Sequence, residues 1–183
     1  MRAKRQPVIM GSIAFLPLTR GMYAIIDAAD VPLVAGYNWR AKKPRGTRYT
    51  WYAVRSTYSQ PSTAYLHRAI NGEGTIDHRN RNGLDNRRVN LRPCSESQNR
   101  ANGSLRLDNT SGIRGVFWDG EKRRWMARVD MNKRRWQRRF HSLNEAIQAR
   151  DAKALEMQGE FAILNRPSSS ASAPSTTKAS DTR

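Results

Sequence analysis

The residues of this chain whose types could do chemistry gather in one stretch, TIDHRNRNGLDNRRVNLRPCSESQNRAN, from Thr75 to Asn102. Asp77 and His78 are adjacent, and asparagines follow at Asn90 and Asn99, spacings of 90 − 78 = 12 and 99 − 90 = 9. Histidine exchanges a proton nearest to neutral pH, and carboxylate or amide oxygens suit hard cations. Asn and Arg are the commonest of the remaining residues and few are apolar, so the stretch has too little apolar surface to exist for a core of its own. On a regular strand, neighbouring side chains point to opposite faces. Asp77 and His78 can therefore address one substrate only where the strand bends or ends.

Several elements must position this stretch. From Ile13 to about Tyr65 short apolar runs alternate with turn signals, which predicts a small antiparallel sheet. Pro44 to Gly46 reads as a hairpin loop between the Trp39 run and the Trp51–Tyr52 run. TAYLHRAI, Thr63 to Ile70, predicts a strand running into a short helical turn. Ser95 followed three residues later by Gln98 is a capping-box pair, so SESQNRAN is expected as a short polar helix. His67 is expected to be structural or hydrogen-bonding, and Cys94 a small buried side chain. Residues 1–12 are expected to be flexible. The apolar run from Val8 to Leu18 is interrupted by Gly11, Ser12 and Pro17, which argues against a signal peptide, and it is too short to span a bilayer.

Beyond a polar linker at about 103–111 lie three strand candidates, GVFW, RRWMARVD and RRWQRRF, separated by DGEK and MNK. Alternation puts Trp125, Ala127 and Val129 on one face and Met126, Arg128 and Asp130 on the other. Ser142 and Glu145 repeat the capping pattern, and Leu143, Ala146, Ile147, Ala154 and Leu155 recur at helical spacing up to Gly159. His141, beside that cap, is expected to be structural. From Arg166 the Ser-, Ala-, Thr- and Pro-rich tail is expected to be disordered. The fold class expected is α+β: a small N-terminal sheet and a site motif over 13–102, then a three-stranded antiparallel sheet packed on one helix over 112–165.

Lysine and arginine number 33 against 15 acidic residues, a formal charge of +18, which calls for a polyanionic partner. Arginine interleaved with Trp, Tyr and Asn favours nucleic acid over a membrane surface. A single cysteine excludes a disulfide framework and a zinc site built on several thiolates.

The order Asp77-His78, Asn90, Asn99 resembles the ββα-metal motif of HNH nucleases, in the variant where asparagine takes the last position. The resemblance implies that His78 is the general base, that Asn90 orients it, and that Asp77 and Asn99 hold one divalent ion, magnesium or manganese. Arg79, Arg81, Arg87 and Arg88, with Arg92, are expected to contact phosphate. The segment from about Ser111 to Asn165 resembles the Apetala-two (ethylene-response-factor-like) DNA-binding domain, through RGV, RRWMARV and the closing GEFAILN. That likeness implies a sheet face laid in the major groove, with Arg114, Arg128, Arg134, Trp136 and Arg138 toward DNA. Arg135, Gln137 and Arg139 stand where that family usually carries apolar or small residues.

A nuclease motif followed by such a module is a layout of phage-borne homing endonucleases. The expectation is a double-strand DNA endonuclease, cytoplasmic in a bacterial host, with no protein partner identifiable. A DNA-binding regulator carrying a relic nuclease motif is the alternative, and an RNA-binding protein a more distant one.

Overall fold

The structure, a computed structural model of the 183-residue chain, describes residues 4–44, 50–58, 62–105, 109 and 111–165. The expected hairpin loop at 44–46 lies largely outside them, as do the middle of the linker and the tail from 166.

Mixed α and β structure is present, with several small antiparallel sheets and four α-helices among the described residues. The first sheet has the order β1 (Val8–Met10), β2 (Ile13–Pro17), β3 (Tyr23–Asp27). Ala14, Leu16, Ala24 and Ile26 alternate onto its buried face, the period-2 pattern that places a half-buried strand. β1 is a paired strand inside the 1–12 segment that was expected to be flexible. Gly11, at φ 62, supplies the left-handed turn that returns Val8–Met10 onto β2, and all three side chains of β1 are more than half exposed. The short helix α1 (Val31–Val34) leads to a second sheet, β4 (Arg40–Lys42), β5 (Tyr52–Ser56), β6 (Thr63–Tyr65). The expected strand-to-helix step follows, as β6 runs into α2 (Leu66–Asn71).

β7 (Ile76–His78) and β8 (Leu91–Pro93) pair antiparallel, and α3 (Glu96–Asn102) comes next. α3 carries the expected capping box: Gln98 N–H donates to Ser95 Oγ at 3.2 Å and Ser95 N–H to Gln98 Oε1 at 2.7 Å. Both sheets, α2 and the β7–β8 hairpin share one core around Leu16, Ile26, Val34, Trp39, Leu66 and Leu91. Trp39 is 1% exposed, with Nε1 donating to the Val34 carbonyl at 3.0 Å. A Trp39→Ala cavity there would cost about 3–5 kcal/mol.

The C-terminal sheet has the order β11 (Arg134–Phe140), β10 (Arg124–Met131), β9 (Val116–Asp119) and packs on α4 (Leu143–Gln158). Val116, Ala127 and Ala146 form its core, with Trp125, Trp136, Phe140, Leu143 and Ile147 around them. The helix stripe differs from the expected one. Leu155 is 52% exposed, while Arg150 and Gln158 are buried beside Ala146 and Ala154. Ser142 makes no side-chain cap bond. Gly115 explains the buried arginine: at φ 67, a Cβ there would lie 2.5 Å from the Arg128 carbonyl oxygen and 3.1 Å from Arg150 Nε.

Strand β11 faces the other way from the expectation. Asn132 and Lys133 both have positive φ (49 and 63), a two-residue hairpin turn of the kind that matches strand twist. It pins Met131 opposite Arg134, Val129 opposite Trp136 and Ala127 opposite Arg138. Directly paired residues share a face, so Arg134, Trp136 and Arg138 lie on the helix side and Trp136 joins the core. The outward row is Arg135, Gln137 and Arg139, opposite Asp130, Arg128 and Met126. Arg128 does face outward, 42% exposed.

The two modules touch. Asn132 N–H donates to Ser97 Oγ on α3 at 2.8 Å, Arg114 donates to the carbonyl of Gly103, and a single turn of 3-10 helix after α4 (Gly159–Phe161) meets Arg92 on β8. No helix among the described residues is long and apolar enough to cross a membrane.

Candidate active site

Asp77 and His78 close β7, and both are 5% exposed. The register places Asp77 opposite Arg92 and His78 opposite Leu91. Between the strands the loop from Arg79 to Asn90 is held by its own asparagines. Asn90 Nδ2 donates to the Asp85 carbonyl at 2.7 Å, and Asn90 Oδ1 accepts from Asn80 N–H at 3.0 Å. The loop is also stitched to β3, through Ile25 N–H to the Leu84 carbonyl at 2.8 Å and Asn86 N–H to the Ile25 carbonyl at 2.7 Å. Gly83 permits the fit: a Cβ there would stand 2.4 Å from the Trp51 carbonyl oxygen and 2.7 Å from the Tyr52 ring.

His78 is oriented by Asn86, where the sequence pointed to Asn90. His78 Nε2 lies 3.3 Å from Asn86 Oδ1, and Asn86 Nδ2 donates to the Gly83 carbonyl at 3.4 Å. The second bond fixes which end of the amide faces the ring. An amide oxygen only accepts, so Nε2 carries the hydrogen and Nδ1 keeps a free lone pair. Burial pushes the His78 pKa down, against the Asn86 bond and the charges of Asp77 and Asp85. The ring is therefore neutral near pH 7 and able to accept a proton. Asn90 instead shapes the loop that carries Asn86. No sequence signal distinguished the two, since both are asparagines of one irregular segment.

Aromatic neighbours exclude water around the histidine. His67 meets His78 edge-on with ring centroids 5.2 Å apart, and Tyr52 lies 5.8 Å from His78 and 5.9 Å from His67. His67 is buried, and desolvation with the nearby His78 and Arg68 lowers its pKa to about 3.

The helix residue that meets Asp77 is Asn102. Its Nδ2 lies 2.9 Å from both carboxylate oxygens and 2.9 Å from the His78 carbonyl oxygen. Asn99, the expected metal ligand, sits one turn earlier on α3 and is exposed. Ala101, the only apolar residue of that helix, marks the inward face that Asn102 shares. It was the available signal. Arg92 completes the surround, its Nε and Nη2 each 2.8 Å from Asp77 Oδ2.

Could this set hold a divalent ion? Asp77 Oδ1 accepts only from Asn102 in the bonds described, and a half-turn of that amide would put its oxygen where its nitrogen now stands. One carboxylate and one amide oxygen fit magnesium, which keeps several waters and takes further oxygens from a phosphate. No group of three or more His, Cys, Asp or Glu side chains converges among the described residues, so a closed zinc-type site is not present there.

The arginines divide. Arg81 and Arg79 are exposed, the latter bonded to Glu160. Arg87 forks onto Asp85 at 2.8 and 2.7 Å, and Arg88 binds Asp30 at 2.7 Å. Arg114 is committed to structure. It is half-buried against the end of α3, and desolvation with Arg150 and Arg81 lowers its pKa to about 10. Cys94 is half-buried, with Sγ 3.6 Å from the Thr75 carbonyl oxygen.

Compared with protein-family models, with curated proteins and with solved structures, the chain matches none of them. The functional reading therefore rests on the residues themselves.

Proposed function

We propose that this chain is a metal-dependent HNH endonuclease of the homing type, which hydrolyses phosphodiester bonds in duplex DNA and uses its C-terminal sheet as a reader. The observation that carries the proposal is His78, a buried neutral histidine held in one tautomer by Asn86, next to the carboxylate of Asp77 and the side-chain amide of Asn102. That is the equipment of phosphodiester hydrolysis: a proton acceptor with a free nitrogen beside a place for a hard cation.

In this reading His78 Nδ1 takes a proton from water as the water oxygen attacks phosphorus. Asn86 keeps the ring from turning and accepts from its Nε2–H throughout. Asp77 and Asn102 would hold a magnesium or manganese ion, which supplies positive charge against the phosphate and the departing 3′ oxygen. Arg92 stays on Asp77 Oδ2 and fixes that carboxylate. Tyr52 and His67 keep solvent from the inner face of the ring. Arg81, Arg87 and Arg88, on the loop, contact backbone phosphates.

On the C-terminal module the outward residues able to reach base edges or phosphates are Arg128, Arg135, Gln137 and Arg139. Asp130 and Asp119 pair with these arginines at 2.7–3.2 Å and would release them to DNA. These residues take the place of Arg134, Trp136 and Arg138.

A supercoiled plasmid incubated with the protein and magnesium tests the proposal. Wild type should nick or linearise it and stop on addition of a chelator. Duplex binding with no cleavage in magnesium or manganese would instead favour the DNA-binding regulator.

A further inference from the structure

Two arginines of the site point at one oxygen that comes from the other module. Arg79, directly after His78, donates from Nη1 to Glu160 Oε2 at 2.8 Å. Arg92, opposite Asp77, donates from its own Nη1 to the same Oε2 at 3.0 Å, and to the Glu160 carbonyl at 3.1 Å. The Arg92 guanidinium is otherwise fully used. Nε and Nη2 are on Asp77, and its plane lies over the Phe161 ring with the central carbon 3.7 Å from the centroid. Its side chain is 7% exposed, so it is preorganised, with one edge left toward Glu160.

Resting on the nuclease reading, we propose that Arg79 and Arg92 form a binding site for a backbone phosphate of DNA, and that in the free protein the carboxylate of Glu160 fills it.

Chemistry favours the exchange. Guanidinium groups bind carboxylates and phosphates through the same pairs of N–H donors. The Arg79 and Glu160 side chains are 50% and 58% exposed, and such solvent-screened pairs are weakly held. The buried Arg92–Asp77 pair is not displaceable in the same way, so the phosphate would arrive at a fixed edge and beside His78. Both arginines hold the Glu160 carboxyl below the usual range, which keeps the competitor charged at neutral pH. Because Glu160 belongs to the turn after α4, DNA bound at the cutting site must move a residue of the reading module.

The test is duplex affinity of the full chain, measured by fluorescence anisotropy on a random-sequence duplex with chelator present, so that cleavage plays no part. Glu160→Gln should bind roughly ten-fold tighter than wild type, the order expected when an internal competitor for a phosphate contact is removed. Glu160→Asp, which keeps the charge, should stay near wild type. The gain should vanish in Arg79→Ala/Glu160→Gln. Unchanged or weaker binding by Glu160→Gln, despite an unaltered melting curve, would overturn the proposal. So would a gain that persists without Arg79, since that would reflect net charge alone. Absence of cleavage by wild type and every variant in a separate plasmid assay with magnesium would sink the nuclease reading while leaving this result legible.

Discussion

At the scale of single residues the claims turn on which asparagine does what. Asn102→Ala should weaken magnesium binding at least about ten-fold, the usual effect of removing a supporting polar group from a metal site, whereas Asn99→Ala should leave it unchanged. Isothermal titration with magnesium decides between them. Asn86→Ala should slow cleavage without altering duplex affinity, because it frees the His78 ring and leaves the phosphate contacts alone. Arg92→Met leaves Asp77 buried with its charge unmatched, and breaking such a pair costs about 3–5 kcal/mol, to be read from urea denaturation. Part of that loss should return in the double variant Arg92→Met/Asp77→Asn. The residue types of this site were legible in the sequence, and Asp77 and His78 do end one strand. The partners were not, since Asn86, Asn90, Asn99 and Asn102 are chemically identical and only the loop path and the rotation of α3 separate them.

At the scale of elements, the sequence located the three C-terminal strands, the capped helix α3 and the long helix α4, because alternation, a capping box and helical spacing are local signals. The facing of β11 was not local. It depends on the Asn132–Lys133 turn, in which a lysine adopts φ 63, a conformation that is unfavourable for a side chain bearing Cβ. Lys133→Gly should therefore stabilise the module by up to about 1 kcal/mol, visible as a higher thermal midpoint. One extra residue inserted there would shift the register and turn Trp136 out of the core. Gly83 sets the opposite limit: Gly83→Ala forces a Cβ into the Trp51 carbonyl and the Tyr52 ring, and should disturb the loop that carries Asn86. Strand β1 went unread because its side chains are exposed and its pairing depends on the turn at Gly11.

At the scale of the whole molecule, two buried histidines tie stability to pH. His67 stays neutral in the fold until about pH 3, whereas a histidine in the unfolded chain takes up a proton below about pH 6.5. Stability from this source is complete above about 6.5 and falls as the pH drops, by up to about 1.4 kcal/mol per pH unit. His78, shifted in the same direction, adds to the fall. Urea unfolding at pH 7.5 and 5.5 should show it, and His67→Phe should flatten the difference. The docking of the two modules through α3 and Glu160–Phe161 could not be read from the sequence, since ion pairs between residues 68 positions apart leave no local pattern. The same contacts place the C-terminal sheet and the Asp77–His78 site in one assembly. The central claim is that His78 is the proton acceptor, and single-turnover cleavage of duplex DNA in magnesium by His78→Gly tests it most directly. The account predicts a rate lower by about a hundredfold or more, duplex affinity unchanged, and partial recovery on adding imidazole; cleavage at the wild-type rate would contradict it.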